Sequence, residues 1–383
     1  MPARLLTSLL LLLPPDTALR ADARRLDVAA RADTVADTTW YVTNRARRDG
    51  RATRVAADSL EFGYVVFRFA ETKSTSANDR LMGRVRGQRA DSVTLTRAEF
   101  VRRLRESDAR AAVRKDGAVF YVHGFATSFG RAMSQSAEIA YRGSFGGPFI
   151  AFSWPAHTAL ATWPTPGAII SRAYRQDSAV AHASEGALRE ALMVVRSAVR
   201  PAALTVVGHS LGAQLVAEAL RKKSPEHDAL TRAPLRALVF FSADISATWF
   251  HDSVGPSVAP LAARRVVYSS ASDRMLAISH VVNHTPRVGQ TGTARVLTDA
   301  GVEVVDVTRA ARSRAPWPAV FDPHHAMRLS GTALYDFFYG VVRGESAACR
   351  VYDGLASRDA NGVYRMQPAA VPAAATSCAA TGL

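Results

Sequence analysis

Cysteine is nearly missing from this chain: its 383 residues hold only Cys349 and Cys378, both in the Ala-rich C-terminal segment. Neither stands at a Cys-His spacing that binds metal, and a single disulfide is their expected use in an exported protein. In a reducing compartment the same pair would remain two thiols. Long hydrophobic runs are missing too. The N-terminal run from Leu5 to Leu13 spans nine residues, too short for the roughly 20 that a bilayer-crossing helix needs, so no integral span is expected. An early arginine precedes this run and an Ala-x-Ala at Ala21 to Ala23 follows it. That is the pattern of a secretory signal peptide over residues 1–23, and a periplasmic or secreted location is the expectation. No cysteine follows the run, so a lipid anchor has no attachment point there.

Lysine is scarce, and nearly all of the 48 basic residues are arginine, set against 33 acidic ones for a net charge of +15. Such a balance raises the question of a nucleic-acid partner. The basic residues are interleaved with acids, as in RRLRESDARAAVRKD, and neither zinc-finger spacing nor an aromatic RNA-binding motif accompanies them. Dispersed charge of this kind reads as a solvated surface, so no nucleic-acid partner is expected.

What the sequence does contain is enough apolar residue, 48%, for a sizeable core. Residues 24–60 read as a polar N-terminal extension with one ordered island, TTWYVTNRAR. The main domain is expected over 61–343, opening with a strand in EFGYVVFRFA and a short amphipathic helix in AEFVRRLRESDA. From residue 118 onward short apolar runs (AVFYVHG, PFIAFSWP, ALTVVGHS, RALVFFSAD, ARRVVYSSAS, GVEVVDVT) alternate with helical stretches. Runs this short and this uniformly apolar suit strands buried on both faces, so a doubly wound, mostly parallel α/β sheet flanked by helices is predicted. Residues 344–383 show little apolar periodicity and read as a loosely ordered tail. No internal repeat is visible.

One stretch carries chemistry. In TVVGHSLGAQLVAEAL the Gly-x-Ser-x-Gly around Ser210 follows a strand-like run and opens a helix. This is the setting in which a strained turn holds a serine hydroxyl out at the carboxyl edge of a sheet. A serine hydroxyl needs a base, an acid to orient that base, and donors for a developing oxyanion. The donors expected are the main-chain N–H groups of Phe125, in the His-Gly turn after AVFYV, and of Leu211, just after the serine. His123 and His209 read as turn residues. For the acid, Asp244, Asp273 and Asp306 each end a strand-like run, where ligands of open α/β sheets are met. For the base, His324 and His325 lie in the loop FDPHHAMRL, after the last strand. His280 and His284 stand four apart on a predicted helix but lack a third ligand, so they read as surface or packing residues. The order serine, acid, histidine is that of α/β-hydrolases.

The stretches YVHGFATSFGRAMSQSAEIA, FIAFSWPA, YRQDSAVAHAS, VVGHSLGAQLVAEAL, YSSASDRMLAIS and PRVGQ resemble the uncharacterised α/β-hydrolase family DUF900, as does the upstream WYVTNRAR, over residues 39–342. The resemblance implies one hydrolase domain with the nucleophile at Ser210 and the acid at Asp273, Asp244 being the alternative. The family often carries Gly-His-Ser near its C-terminal end. The nearest match here is His-His-Ala, which carries the base to His325 and leaves His324 as its rival. The expected activity is a serine hydrolase acting on an ester, thioester or similar acyl bond of a small-molecule or lipid-like substrate, with no metal or organic cofactor. A non-catalytic binding or envelope protein of the same fold, and an acyltransferase using the same residues, are the alternatives.

Overall fold

The computed structural model describes residues 34–70, 87–156, 167–310, 325, 330–368 and 378. The expected signal segment, residues 1–23, and His324 lie outside them.

The uniformly apolar runs become strands because each of their residues has a buried face to occupy. In β4 (Ala118–Val122), Ala118, Phe120 and Val122 enter one apolar cluster while Val119 and Tyr121 enter the cluster on the opposite face. β5 (Phe149–Ser153), β6 (Leu204–His209), β7 (Leu235–Phe241) and β9 (Glu303–Asp306) follow the same plan, and β8 (Ala262–Ser269) does so from Val266 onward, after the exposed Ala263 and the half-buried Arg264 and Arg265. Each fully buried Val, Leu or Phe contributes about 1.5–3 kcal/mol relative to an exposed one. β4 to β9 pair in parallel, in the spatial order β9-β8-β7-β6-β4-β5. Helices cover the two faces: α1 (Arg97–Val113), α2 (Phe129–Arg142), α3 (Gly167–Ala183), α4 (Glu185–Ala198), α5 (Leu211–Arg221), α6 (Arg274–Asn283) and α7 (Gly331–Tyr335). α1 and α2 start where Thr96 and Ser128 accept hydrogen bonds from Glu99 N and Arg131 N, satisfying donors that the helix itself leaves open.

Both ends of the domain extend further than the sequence reading placed them. β1 (Thr34–Arg48) pairs in parallel with β5 and antiparallel with β2 (Arg51–Ala70), so residues expected in a polar extension are strands of the main sheet. Polarity misled because Thr43, Asn44 and Arg45 are buried with partners supplied by the fold: Thr43 donates to Ser153 O at 2.5 Å and Asn44 to Ser184 Oγ at 3.0 Å. β3 (Gln88–Leu95) closes that edge.

At the other edge, β10 (Ala356–Arg358) and β11 (Tyr364–Met366) join the sheet through β9. The described residues of this segment, 344–368 and 378, are anchored rather than loose. Buried Arg350 pairs with Asp336 at 2.8 Å and Glu303 at 2.7 Å, and Cys349 is disulfide-bonded to Cys378. Three-residue strands leave no periodicity to read. Among the described residues, no helix is long and apolar enough to cross a membrane.

Candidate active site

β6 ends at His209 and α5 starts at Leu211, so one residue must turn the chain from strand to helix. That residue is Ser210, at φ 54° and ψ −125°, a conformation that side chains disfavour. The surroundings hold it there. Ser210 N donates to Phe241 O at 2.9 Å, while Ser210 O accepts from Ala213 N at 2.9 Å and from Asp244 N at 3.2 Å. The two motif glycines are required by close approach. A Cβ on Gly208 would stand 2.5 Å from Ala213 Cα, and one on Gly212 would stand 2.3 Å from His123 O.

The turn after β4 packs directly against this elbow: a Cβ on Gly124 would lie 2.9 Å from Ser210 Cβ. His123 is fully buried within it. Its Nδ1–H donates to Gly124 O at 3.0 Å, its ring stacks on Trp154, and the Trp154 indole donates to His123 O at 2.8 Å. Burial, with the nearby Arg45 charge adding to it, pushes the His123 imidazole down to about 3, so the ring is neutral. The next residues are pinned from two sides. Ala126 N donates to the buried Asp177 carboxylate at 2.9 Å, and Arg45 Nη2 donates to Thr127 O at 2.8 Å. Phe125 therefore sits in a main-chain segment fixed at both ends, its ring 5.9 Å from that of Tyr174.

Asp273 follows β8 and caps α6, accepting from Leu276 N at 2.9 Å. The same carboxylate accepts from His325 Nδ1, at 2.9 Å to Oδ2 and 3.1 Å to Oδ1. Burial pushes the Asp273 carboxyl up, but the His325 ring, Leu276 N–H and the Ser242 hydroxyl outweigh it and hold the group below the ordinary carboxylate value. The main chain of His325 is in turn tied to the elbow, its O lying 2.8 Å from His209 Nε2.

The alternative acid is engaged differently. Asp244 is buried and accepts from Arg287 Nε at 2.6 Å, Ser279 Oγ at 2.5 Å and Tyr174 OH at 2.8 Å. Asp306, at the end of β9, pairs with Arg365 at 3.0 Å. His284 ends α6 in the left-handed conformation, at φ 53°. Away from these groups, His182, Glu185 and Glu218 bring three potential metal-ligand atoms within 4.8 Å of one another. The Lys222 ammonium already pairs with Glu185 there and supplies the neutralising charge.

Sequence reasoning missed the residues that brace the site: Arg45, Tyr174, Asp177 and Arg287. Asp177 had a visible signal, an acid inside an otherwise apolar helix face, because a buried carboxylate must find donors. Tyr174 and Arg287 fall in the stretches YRQDSAVAHAS and PRVGQ that carry the family resemblance, but their partners are distant in sequence, so no role could be read for them.

The profile of a family described as alpha/beta hydrolase of unknown function (DUF900) matches residues 97–318. Among curated proteins none matches. Three solved structures illustrate the neighbourhood. A sugar hydrolase from Lactococcus lactis is 12% identical, covering 77% of this chain and 100% of its own at a TM-score of 0.34. The esterase Est22 is 11% identical, covering 76% and 79% at a TM-score of 0.32. A putative carboxylesterase from Lactobacillus plantarum is 9% identical, covering 77% and 97% at a TM-score of 0.29.

Proposed function

The chain belongs to the DUF900 family of alpha/beta hydrolases, and from that premise we propose that it is a serine hydrolase cleaving an ester, thioester or similar acyl bond. Ser210 Oγ attacks the acyl carbon while His325 Nε2 takes the hydroxyl proton. Collapse of the tetrahedral intermediate breaks the bond to the leaving group, which carries that proton away. Water, deprotonated by the same nitrogen, then releases the acid and restores the serine. Asp273 fixes the His325 tautomer and faces the imidazolium as it forms, and the N–H groups of Phe125 and Leu211 receive the oxyanion.

The observation that carries this reading is the pairing of His325 Nδ1 with the buried Asp273 carboxylate at 2.9 Å, in a segment bonded to the residue preceding Ser210. With Nδ1–H given to Asp273, Nε2 is left as the base. The strained serine, next in sequence to His209, supports the same role, because such strain gathers at functional positions.

A fluorophosphonate probe and an activated short-chain ester test the reading. Wild-type protein should be labelled and should turn over the ester, and Ser210→Ala should lose both while staying folded by circular dichroism. A wild-type protein that neither labels nor turns over ester would point instead to a binding protein that keeps the fold.

A further inference from the structure

His209 precedes the nucleophile, and its ring lies between Gly124, in the turn after β4, and His325. On one edge, a Cβ on Gly124 would stand 3.2 Å from His209 Nδ1, so the turn after β4 reaches this ring without a side chain between them. On the other edge Nε2 lies 2.8 Å from His325 O, and the two imidazole centroids are 5.1 Å apart. A carbonyl oxygen only accepts, so the hydrogen of this bond belongs to Nε2. His209 Nε2 therefore carries a hydrogen and donates it to the His325 carbonyl.

Two attachments of the base differ in kind. Asp273 holds the ring of His325 and sets its rotation. That bond acts on the side chain and does not itself fix the main chain of His325, whose displacement would carry Nε2 with it. The bond from His209 ties the main chain to β6, the element that ends at the nucleophile. A displacement of about 1 Å between reacting groups costs on the order of 10²-fold in rate.

We infer that His209 is a positioning residue, whose Nε2–H clasps the His325 main chain and fixes the distance from base to nucleophile. The inference rests on the proposed roles of Ser210 and His325. Three variants test it: Ser210→Ala, His209→Ala and His209→Gln. A glutamine amide can place an N–H where Nε2 stands, so it restores the clasp without restoring an imidazole. His209→Ala should lower kcat and the fluorophosphonate labelling rate by about 10- to 100-fold with KM within about twofold, and His209→Gln should recover most of both.

Equal activity in wild type and His209→Ala, with labelling still abolished by Ser210→Ala, overturns this role and leaves the hydrolase reading standing. A wild-type protein that does not label overturns both. If His209→Ala does not fold, ¹⁵N-histidine NMR of the wild type decides: a neutral His209 carrying its proton on Nε2 supports the clasp, and one carrying it on Nδ1 overturns it.

Discussion

Arg287 Nε lies 2.6 Å from Asp244 Oδ1, with both side chains buried. Two carboxylates at the same sheet edge are thus divided between cations of different kinds, Asp244 facing a permanent guanidinium and Asp273 an imidazole that can gain and lose a proton. Among the described residues the Asp244 carboxylate accepts from Arg287, Ser279 and Tyr174 and from no imidazole.

The division predicts opposite phenotypes for two conservative changes. Asp273→Asn should lower kcat by about 10²- to 10⁴-fold with KM nearly unchanged, because an amide favours the wrong imidazole tautomer and cannot stabilise imidazolium. Asp244→Asn leaves Arg287 buried without its counter-charge, a change that costs about 3–5 kcal/mol in comparable pairs. Its folded fraction should keep kcat within about tenfold of wild type. Steady-state kinetics together with denaturant unfolding of both variants check this; a large kcat loss confined to Asp244→Asn would exchange the two assignments.

How far the sequence went in anticipating this site depends on the range of each interaction. Gly208, Ser210 and Gly212 are legible because an elbow is a local event: the stretch from Gly208 to Gly212 contains the strand end, the turn and the helix start. Strands β4 to β9 are legible because burial on both faces writes itself into every residue. Asp244 and Asp273 are not separable in this way, because the deciding partners, Arg287 and His325, lie 43 and 52 residues away. β1 was hidden for a related reason. Its buried Thr43, Asn44 and Arg45 look solvent-exposed until the partners that satisfy them are in place.

The strain at Ser210 has its own consequence for stability. At φ 54° a glycine has no Cβ to crowd the backbone. Ser210→Gly should therefore raise unfolding free energy by about 1 kcal/mol while abolishing ester turnover, whereas Ser210→Ala should abolish turnover with little gain. Thermal melts of the three proteins measure the difference. A glycine variant no more stable than the alanine variant would mean that the elbow stores no strain.

Acid should destabilise the protein through His123. Its folded value, about 3, lies below the ordinary 6.5, so between those values the unfolded chain binds a proton that the folded one refuses. Stability from this group is complete above pH 6.5 and falls as pH drops toward about 3. Asp273 acts in the same direction over a lower range, its folded value lying below the ordinary 3.8. For His123 alone the loss between pH 6.5 and pH 5 is about 1.6 kcal/mol, the slope rising toward 1.36 kcal/mol per unit as the unfolded histidine becomes protonated. His123→Gln removes that titration, so unfolding free energies at these two pH values should differ less in the variant than in wild type. Equal pH dependence in both would show that His123 is protonated in the folded state.

The elbow also predicts where an ordinarily favourable substitution fails. Alanine is a better helix former than glycine by about 0.5–1 kcal/mol, so replacing a helical glycine should stabilise wherever a methyl group fits. Gly130, in the first turn of α2, meets that condition: a Cβ there would find nothing within 4 Å. Gly212, in the first turn of α5, does not. Its Cβ would stand 2.3 Å from His123 O and 2.5 Å from Val122 O, and main-chain atoms at the end of a central strand cannot swing aside as a flexible side chain would. Relief requires α5 to move away from β4, which separates Ser210 from the turn carrying Gly124 and Phe125. Gly130→Ala should then raise the melting temperature slightly and leave kcat unchanged. Gly212→Ala should cost about 1–3 kcal/mol as an overpacking change. Its folded fraction should also lose kcat by at least about tenfold, because the N–H groups proposed as oxyanion donors would no longer share a fixed geometry with the proposed nucleophile. Melting curves and ester kinetics on the two variants test the pair, and a Gly212→Ala protein as stable and active as Gly130→Ala would refute the close approach of α5 to β4.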